Sequence, residues 1–118
     1  MSDFVVKRIS RLCENIEKID QLYLKEDIVS LNLHGNNLLS TDGLLNFNYL
    51  VELDLSANSI SCLTHFENLL SLKILNLSSN LIKNIPNNQD HFKYLISLQH
   101  LNLRIRIYYY ESYNMMSL

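Results

Sequence analysis

The chain is poor in the residues that build disulfide frameworks and phosphate-binding loops. It contains two cysteines, Cys13 and Cys62, two glycines, one proline and no tryptophan. The cysteines form no C-x-x-C pair, which argues against a disulfide framework and indicates free thiols in a reducing compartment. The glycines, Gly35 and Gly43, stand apart in the sequence. A glycine-rich loop that cradles phosphate is therefore excluded.

Charge and hydrophobicity narrow the class of protein further. The net charge is −2, so no basic field favours nucleic acid or an anionic membrane as a partner. No apolar run approaches the ~20 residues of a membrane span, and the segment MSDFVVKRISRL lacks the apolar core of a secretory signal. The sequence has 118 residues, of which 47% are hydrophobic. That is enough for one domain with a modest core.

One motif occurs three times at a fixed spacing. It reads IVSLNLHGNNL from Ile28, LVELDLSANSI from Leu50 and LKILNLSSNLI from Leu72, so the copies begin 22 residues apart. Each copy fits the pattern L-x-x-L-x-L-x-x-N-x-L. A fourth start, LQHLNL, follows at Leu98 after four extra residues, which we place in the polar segment IKNIPNNQDHF. The period predicts stacked coils, with this insertion on their back or lower face.

The second copy shows how one coil should be built. Apolar and polar residues alternate from Glu52 to Ser56, which predicts a short strand with Leu53 and Leu55 pointing inward. We therefore expect Leu55→Asp to be strongly destabilising and Ser56→Asp to be mild. On the return half, apolar residues recur every third position, which favours a loose or 3₁₀-like back wall. They are Ile60, Leu63, Phe66 and Leu69.

An asparagine follows the predicted strand in each full copy, at Asn36, Asn58 and Asn80. A buried asparagine has two donors and an acceptor, so it can satisfy backbone groups that a turn leaves unpaired. We expect these side chains to align as a structural ladder. In the first copy, the segment Thr41-Asp42-Gly43 predicts a turn or a short helix capped by Thr41 or Asp42.

Residues 1–27 admit two interpretations. Apolar residues from Ile9 to Ile19 recur at three- and four-residue steps, which is typical of an amphipathic helix. In the second interpretation the segment is a degenerate half-repeat in the same 22-residue frame. Arg11 and Glu14 then stand where a leucine and the asparagine belong. We prefer a helical or partly helical cap that runs into a half-repeat, because an uncovered first coil would expose its apolar end.

The segment 104–118 has no repeat phase. Arg106 and Tyr108 replace the expected asparagine and leucine. An aromatic, β-prone segment beside an uncovered coil favours association. Two hypotheses follow. The segment binds a partner or a second copy, or the chain is a truncated product of a longer repeat protein whose open end docks on another chain.

The repeats resemble the short, 22-residue cytosolic class of leucine-rich repeats, typified by the leucine-rich regulatory subunit of protein phosphatase 1. The resemblance covers residues 28–103. It lies in eight residues of the second copy, with their counterparts one period away: Leu50, Leu53, Leu55, Asn58, Ile60, Leu63, Phe66 and Leu69. Within that class, LNLHGNN, LDLSANSIS and LNLSSNLI are similar to the amino-terminal repeats of leucine-rich-repeat and coiled-coil proteins of the centrosome. The resemblance implies a curved parallel sheet, a short helical or 3₁₀ convex side, protein partners and a cytoplasmic location, at a centrosome, cilium or cytoskeleton.

The outward strand positions should form one concave surface, which we call the sheet face. Adjacent parallel strands lie about 4.8 Å apart, so four rows of side chains come together. The sheet face is polar, with an acidic pair at its centre and one apolar residue. A peptide or helix with a basic residue near an apolar anchor would fit it. The predicted rows are Ser30, Asn32 and His34; Glu52, Asp54 and Ser56; Ile74, Asn76 and Ser78; and His100, Asn102 and Arg104.

No catalytic or metal-binding constellation is predicted. His34 beside Asp54 or Glu52 suggests a general base, but no nucleophile is paired with it on an open surface. The remaining histidines, at 65, 91 and 100, lack zinc-ligand spacing with the cysteines. Three tyrosines from Tyr108 to Tyr110 could stack on bases, but no basic groove surrounds them. We therefore expect a non-enzymatic protein-interaction module without a cofactor.

Overall fold

The computed structural model describes residues 7–82 and 92–104, and in these residues five short strands form one parallel sheet in chain order. The strands are β1 (Arg8–Ser10), β2 (Ser30–Asn32), β3 (Glu52–Asp54), β4 (Ile74–Asn76) and β5 (His100–Asn102). A 3₁₀ helix, η1, spans Ile19–Leu22. We call residues 7–27 coil 1, 28–49 coil 2, 50–71 coil 3 and 72–97 coil 4. The predicted solenoid, with a parallel sheet on one side and turns and 3₁₀ structure on the other, is confirmed.

The strands pair in the register that the repeat predicts. Leu31 lies opposite Leu53, Leu53 opposite Leu75, and Leu75 opposite Leu101. The last pair is 26 residues apart in sequence, so the sheet keeps its register across the four extra residues. The insertion predicted for those residues lies largely outside the described part of the chain. Leu31, Leu53 and Leu75 are each 1% exposed, whereas Leu101 is 41% exposed.

The back wall descends in steps of three residues, as predicted. The N–H groups of Phe47 and Leu50 donate to the carbonyls of Leu44 and Phe47, at 3.2 and 3.3 Å. Coils 3 and 4 repeat these i to i+3 bonds, which are the bonds of a 3₁₀ helix. The apolar wall side chains fill the core, and the rings of Phe66 and Phe92 pack with their centroids 6.2 Å apart. Among the described residues, no helix is both long and apolar enough to cross a membrane.

Each ladder asparagine joins two coils. The Asn58 side chain accepts from the Leu38 N–H at 3.0 Å and donates to the Leu33 carbonyl at 3.0 Å, both in the preceding coil. It also donates to the carbonyls of Leu55 and Ser56 in its own coil. Asn36 and Asn80 repeat this pattern one period away, and all three side chains are buried. The predicted structural ladder is therefore present, and its partners are backbone groups rather than other asparagines.

A left-handed residue precedes each ladder asparagine and turns the chain out of the strand. Gly35 has φ 76°, and Ala57 and Ser79 have φ 54° and 55°. Only glycine adopts this region freely. Ala57 and Ser79 hold it at a cost, which the inter-coil bonds at the turn, such as Ala57 N–H to the Ser78 carbonyl at 2.9 Å, help to offset.

Coil 1 corrects our preferred interpretation of the amino-terminal segment. Arg8–Ser10 is a strand paired with Ser30–Asn32, so the described residues 7–27 form a degenerate repeat and not an amphipathic helix. The apolar three- and four-residue steps arise because Ile16 and Ile19 continue the back wall, where both are buried. Arg11 and Glu14 occupy the leucine and asparagine positions as an exposed ion pair with Nη2 and Oε1 2.8 Å apart.

Thr41 corrects a second prediction, because it does not cap a helix. Its buried hydroxyl donates to the Thr64 carbonyl at 2.7 Å and accepts from the Thr64 N–H at 2.6 Å, which joins coil 2 to coil 3. Asp42 and Gly43 form the expected turn. The Asp42 carboxylate accepts from the Thr64 hydroxyl. This bond is the main reason why the pKa of Asp42 lies below its ordinary value, and a hydrogen bond with Ser40 lowers it further.

Replacing a ladder asparagine should destabilise the whole stack. In Asn58→Ala, the Leu38 N–H and three backbone carbonyls lose a buried partner, so the free energy of unfolding should fall by roughly 3 kcal/mol or more. Asn48→Ala is the matched control, because Asn48 is exposed and should change stability by less than about 0.5 kcal/mol. Urea denaturation measures both. Equal losses in the two variants would contradict the structural role of the ladder.

Removing the Thr64 hydroxyl should change the response of stability to acid. Because the pKa of Asp42 is lowered by folding, its contribution is present above its unfolded pKa and is lost as pH falls through its folded pKa. In Thr64→Val, the pKa of Asp42 should rise and the acid-dependent part of the stability should shrink. NMR titration of the Asp42 carboxyl carbon measures its pKa, and urea midpoints measure the stability. Both are recorded from about pH 2 to 7, the range in which carboxylates titrate. A folded-state pKa of Asp42 that is unchanged in Thr64→Val would contradict it.

Candidate functional site

The structure places the predicted rows side by side on the sheet face. Strand register aligns Ser30, Glu52, Ile74 and His100 in one column, and Asn32, Asp54, Asn76 and Asn102 in a second. Between β4 and β5, the predicted residues Ile74, Asn76, His100 and Asn102 line a shallow depression of ≈ 480 Å³. Its exposed apolar side chains are Ile74 and Leu101, each at 41% exposure.

A repeated turn fixes the side chains of the second column. The Oδ1 atom of Asn32 accepts from the His34 N–H at 3.0 Å, two residues on. Asp54, Asn76 and Asn102 accept from their own i+2 N–H groups at 2.9 to 3.0 Å. Such Asx turns orient the side chain. The Nδ2 groups of the three asparagines have no hydrogen-bond partner within the described ranges, so they remain as donors for a ligand.

Asp54 belongs to a chain of three polar side chains. The Ser56 hydroxyl donates to Asp54 Oδ1 at 2.5 Å, and His34 Nδ1 lies 2.7 Å from the Ser56 Oγ. Because the serine proton points at the carboxylate, His34 must donate to the serine through a protonated Nδ1. The Oδ2 atom of Asp54 has no partner among residues 7–82 and 92–104. One carboxylate oxygen is thus held by the fold and the other is open.

The burial of Ser56 corrects the predicted sheet face. It is only 5% exposed and is held by both Asp54 and His34, so it offers little area to a partner. The alternation of apolar and polar residues from Glu52 to Ser56 predicted that Ser56 points away from the core, and it does lie on the outward side of the strand. Neighbouring side chains cover it because serine is shorter than they are. The other predicted residues of the sheet face are partly or fully exposed.

Glu52 is partly neutralised by a residue that the sequence analysis did not assign to this surface. Arg8 in β1 reaches over Ser30, and its Nη1 lies 3.5 Å from Glu52 Oε2. Both side chains are about half exposed, so the pair contributes little to stability. Its effect is on the charge pattern, because Arg8 partly neutralises Glu52, whereas Asp54 has no Lys or Arg partner among the described residues.

Coil 1 adds a fifth row to the sheet face, consisting of Arg8, Ser10 and Leu12. Arg8 and Ser10 lie in β1, and Leu12 is 46% exposed at the position that His34 occupies in coil 2. The 22-residue frame could have identified all three, because they lie 22 residues before the first predicted row. They were missed because the helical interpretation removed coil 1 from the sheet.

A second depression, of ≈ 350 Å³, lies away from the strands. It is lined by η1 and the turn of coil 2, with Ile19, Asp20, Tyr23 and Phe47 among its residues. None of the predicted sheet-face residues contributes to it.

No group of three or more histidine, cysteine, aspartate or glutamate side chains in the described part of the chain could hold a metal ion. Cys13 and Cys62 are exposed and form no disulfide.

No protein-family model, curated protein or solved structure is significantly similar to this chain. The fold defines the class of protein, which is a repeat solenoid of about four coils with a five-stranded parallel sheet.

The position of Ser56 changes our expectation for Ser56→Asp. A carboxylate there would lie beside Asp54 in a nearly dry site, and His34 would lose its hydroxyl partner. We now expect a loss of roughly 2 kcal/mol or more in the free energy of unfolding.

Ser61→Asp, at an exposed position of the same coil, is the control and should be nearly neutral. Thermal and urea unfolding of both variants measure the difference. A mild effect of Ser56→Asp, comparable with that of Ser61→Asp, would mean that Ser56 is accessible.

Proposed function

We propose that this protein is a non-catalytic interaction module that binds a protein segment across the sheet face. The observation that carries this proposal is a set of groups held in register on one surface and without a partner among the described residues: three amide donors, one carboxylate oxygen of Asp54 and the apolar Ile74. The fold fixes their positions through Asx turns and strand pairing, so little order is lost when a partner binds.

The order of the polar chain supports a role in binding rather than in catalysis. A nucleophilic serine needs a base that accepts its proton and is oriented by a third group. Here the serine stands between the other two, its proton is directed at Asp54, and its oxygen is buried. The imidazole acts as a donor to the serine and cannot activate it in this arrangement.

Family and location remain part of the proposal. The leucine and asparagine frame supports membership in the 22-residue class of leucine-rich repeats. We propose a cytoplasmic location, at a centrosome, cilium or cytoskeleton, on that resemblance and on the two free thiols.

The direct test reverses charge at the centre of the sheet face. Tagged wild-type protein and the double variant Glu52→Lys, Asp54→Lys are used as baits in cell extracts, and captured proteins are identified by mass spectrometry. We expect the main partner to be lost from the variant, because like charges would face its basic residue.

Glu17→Lys, Glu26→Lys is the matched control, since it makes the same charge change at exposed positions outside the strands. Ile74→Asp serves as a second face variant, and circular dichroism establishes that all baits are folded. Identical partner sets for all baits would contradict the proposal that the sheet face binds the partner.

A second candidate function is end-to-end association. Leu101 occupies an inward strand position, yet it is 41% exposed, whereas its counterparts in β2, β3 and β4, which are Leu31, Leu53 and Leu75, are each 1% exposed. A second copy or another repeat chain that stacked on β5 would bury it.

Sedimentation velocity at several concentrations, with the full chain and with Leu101→Gln, tests this association. We expect concentration-dependent dimers that are weakened in the variant, because the substitution places a polar amide in the contact. A full-length chain that is monomeric at all concentrations would contradict it.

A further inference from the structure

The spacing of the sheet face discriminates between two kinds of bound segment. The rows follow adjacent parallel strands and are therefore about 4.8 Å apart along the stack. A partner that lies along the stack contacts every row only if its own facing side chains recur at a similar distance. An α-helix presents a side chain on one face about every 5.4 Å, the length of one turn. In an extended peptide, same-face residues are about 6.7 Å apart.

The difference between the spacing of the rows and the spacing of the partner's side chains grows more slowly for a helix than for an extended peptide. Over three intervals, from the row of β2 to that of β5, a helix drifts by about 2 Å, which side-chain rotamers can absorb. An extended peptide drifts by about 6 Å over the same rows, which is more than one strand spacing. The width agrees with this result, because three outward columns span about 13 Å and a helix with its side chains is about 10–12 Å across.

The charges specify what such a helix would present. Asp54 lies in the second column, and its Oδ2 has no partner among the described residues. Ile74 lies one row on in the first column, and the exposed Arg104 lies a further row on in the third column. On a helix, position i+4 lies to one side of position i and position i+7 to the other, so a cation, an apolar residue and a carboxylate at these positions complement the three residues in this order. The amides of Asn76 and Asn102 flank the depression beside Ile74, where they can bond to polar groups next to the apolar side chain.

We infer that the partner is an α-helix lying along the stack, with Lys or Arg opposite Asp54, an apolar side chain over Ile74 and Asp or Glu opposite Arg104. This inference rests on the proposed function of the sheet face and adds the conformation and the residue order of the partner.

The test uses two displayed libraries of 15-residue peptides with the same randomised positions (a length chosen because a helix of about 13 residues spans the five rows). One library is stapled into helices, and the other is held extended as one strand of a disulfide-closed β-hairpin. Both are selected on the full chain, and the binders are measured by fluorescence anisotropy on wild type, Asp54→Asn and Ile74→Thr. Glu17→Gln, at an exposed position outside the strands, is the control.

We expect binders from the helical library with a cation, an apolar residue and an acid one turn apart. Their affinity should fall at least about tenfold on Asp54→Asn and Ile74→Thr, and should be unchanged on Glu17→Gln. Changing the acid of the peptide to Lys should abolish binding to wild type and restore it on Arg104→Glu, because the pair is then reversed.

The two failures are distinguishable. Face-dependent binders that come only from the extended library would overturn the helical partner and leave the proposed function intact. If no binder from either library responds to Asp54→Asn or Ile74→Thr, both the helical partner and the sheet face as a binding surface are wrong.

Discussion

The hydrogen bonds of three buried asparagine side chains are the constraint on which the rest of this structure depends. Each coil turns sharply after three strand residues, which leaves backbone N–H and carbonyl groups inside the stack. One asparagine side chain satisfies groups in its own coil and in the preceding coil at once. Because a buried, unpaired backbone group is costly, neither coil is stable in this conformation without the other.

The sheet face is a consequence of this stacking. Identical turns place β2 to β5 in register, so side chains at the same position of each repeat form straight columns. The core uses one side of each strand for leucine and leaves the other side free to vary. Variation on that free side, from Asn32 to Asp54 to Asn76, produces a charge pattern without any change in the backbone.

The sequence predicted those features that depend on residue spacing. The leucine and asparagine frame was sufficient to predict the parallel sheet, its register, the ladder and the back wall. Coil 1 was misassigned because its apolar residues satisfy both a helical period and the back-wall period, and Arg11 and Glu14 concealed the repeat. Its pairing with β2 is a long-range contact that a local pattern does not reveal.

The errors at the site have a similar origin. Alternation gave the direction of Ser56 correctly, but its burial depends on the neighbouring His34 and Asp54 side chains. Thr41 has the residue type of a helix cap, yet its partner is the Thr64 backbone in the next coil. In both cases one deciding neighbour, His34 for Ser56 and Thr64 for Thr41, lies about one repeat away in sequence, where single-residue preferences carry no information.

The central claim is that the hydrogen bonds of each asparagine side chain hold the preceding coil in the stack. Native-state hydrogen exchange tests it most directly. Ile16, Leu38 and Ile60 donate their N–H groups to the asparagine of the following coil. If these hydrogen bonds hold the stack together, the three amides exchange only when the whole protein unfolds, with one common free energy of opening. Exchange of these amides as fast as that of the exposed turn amides of Asn46 and Asn48 would contradict the account.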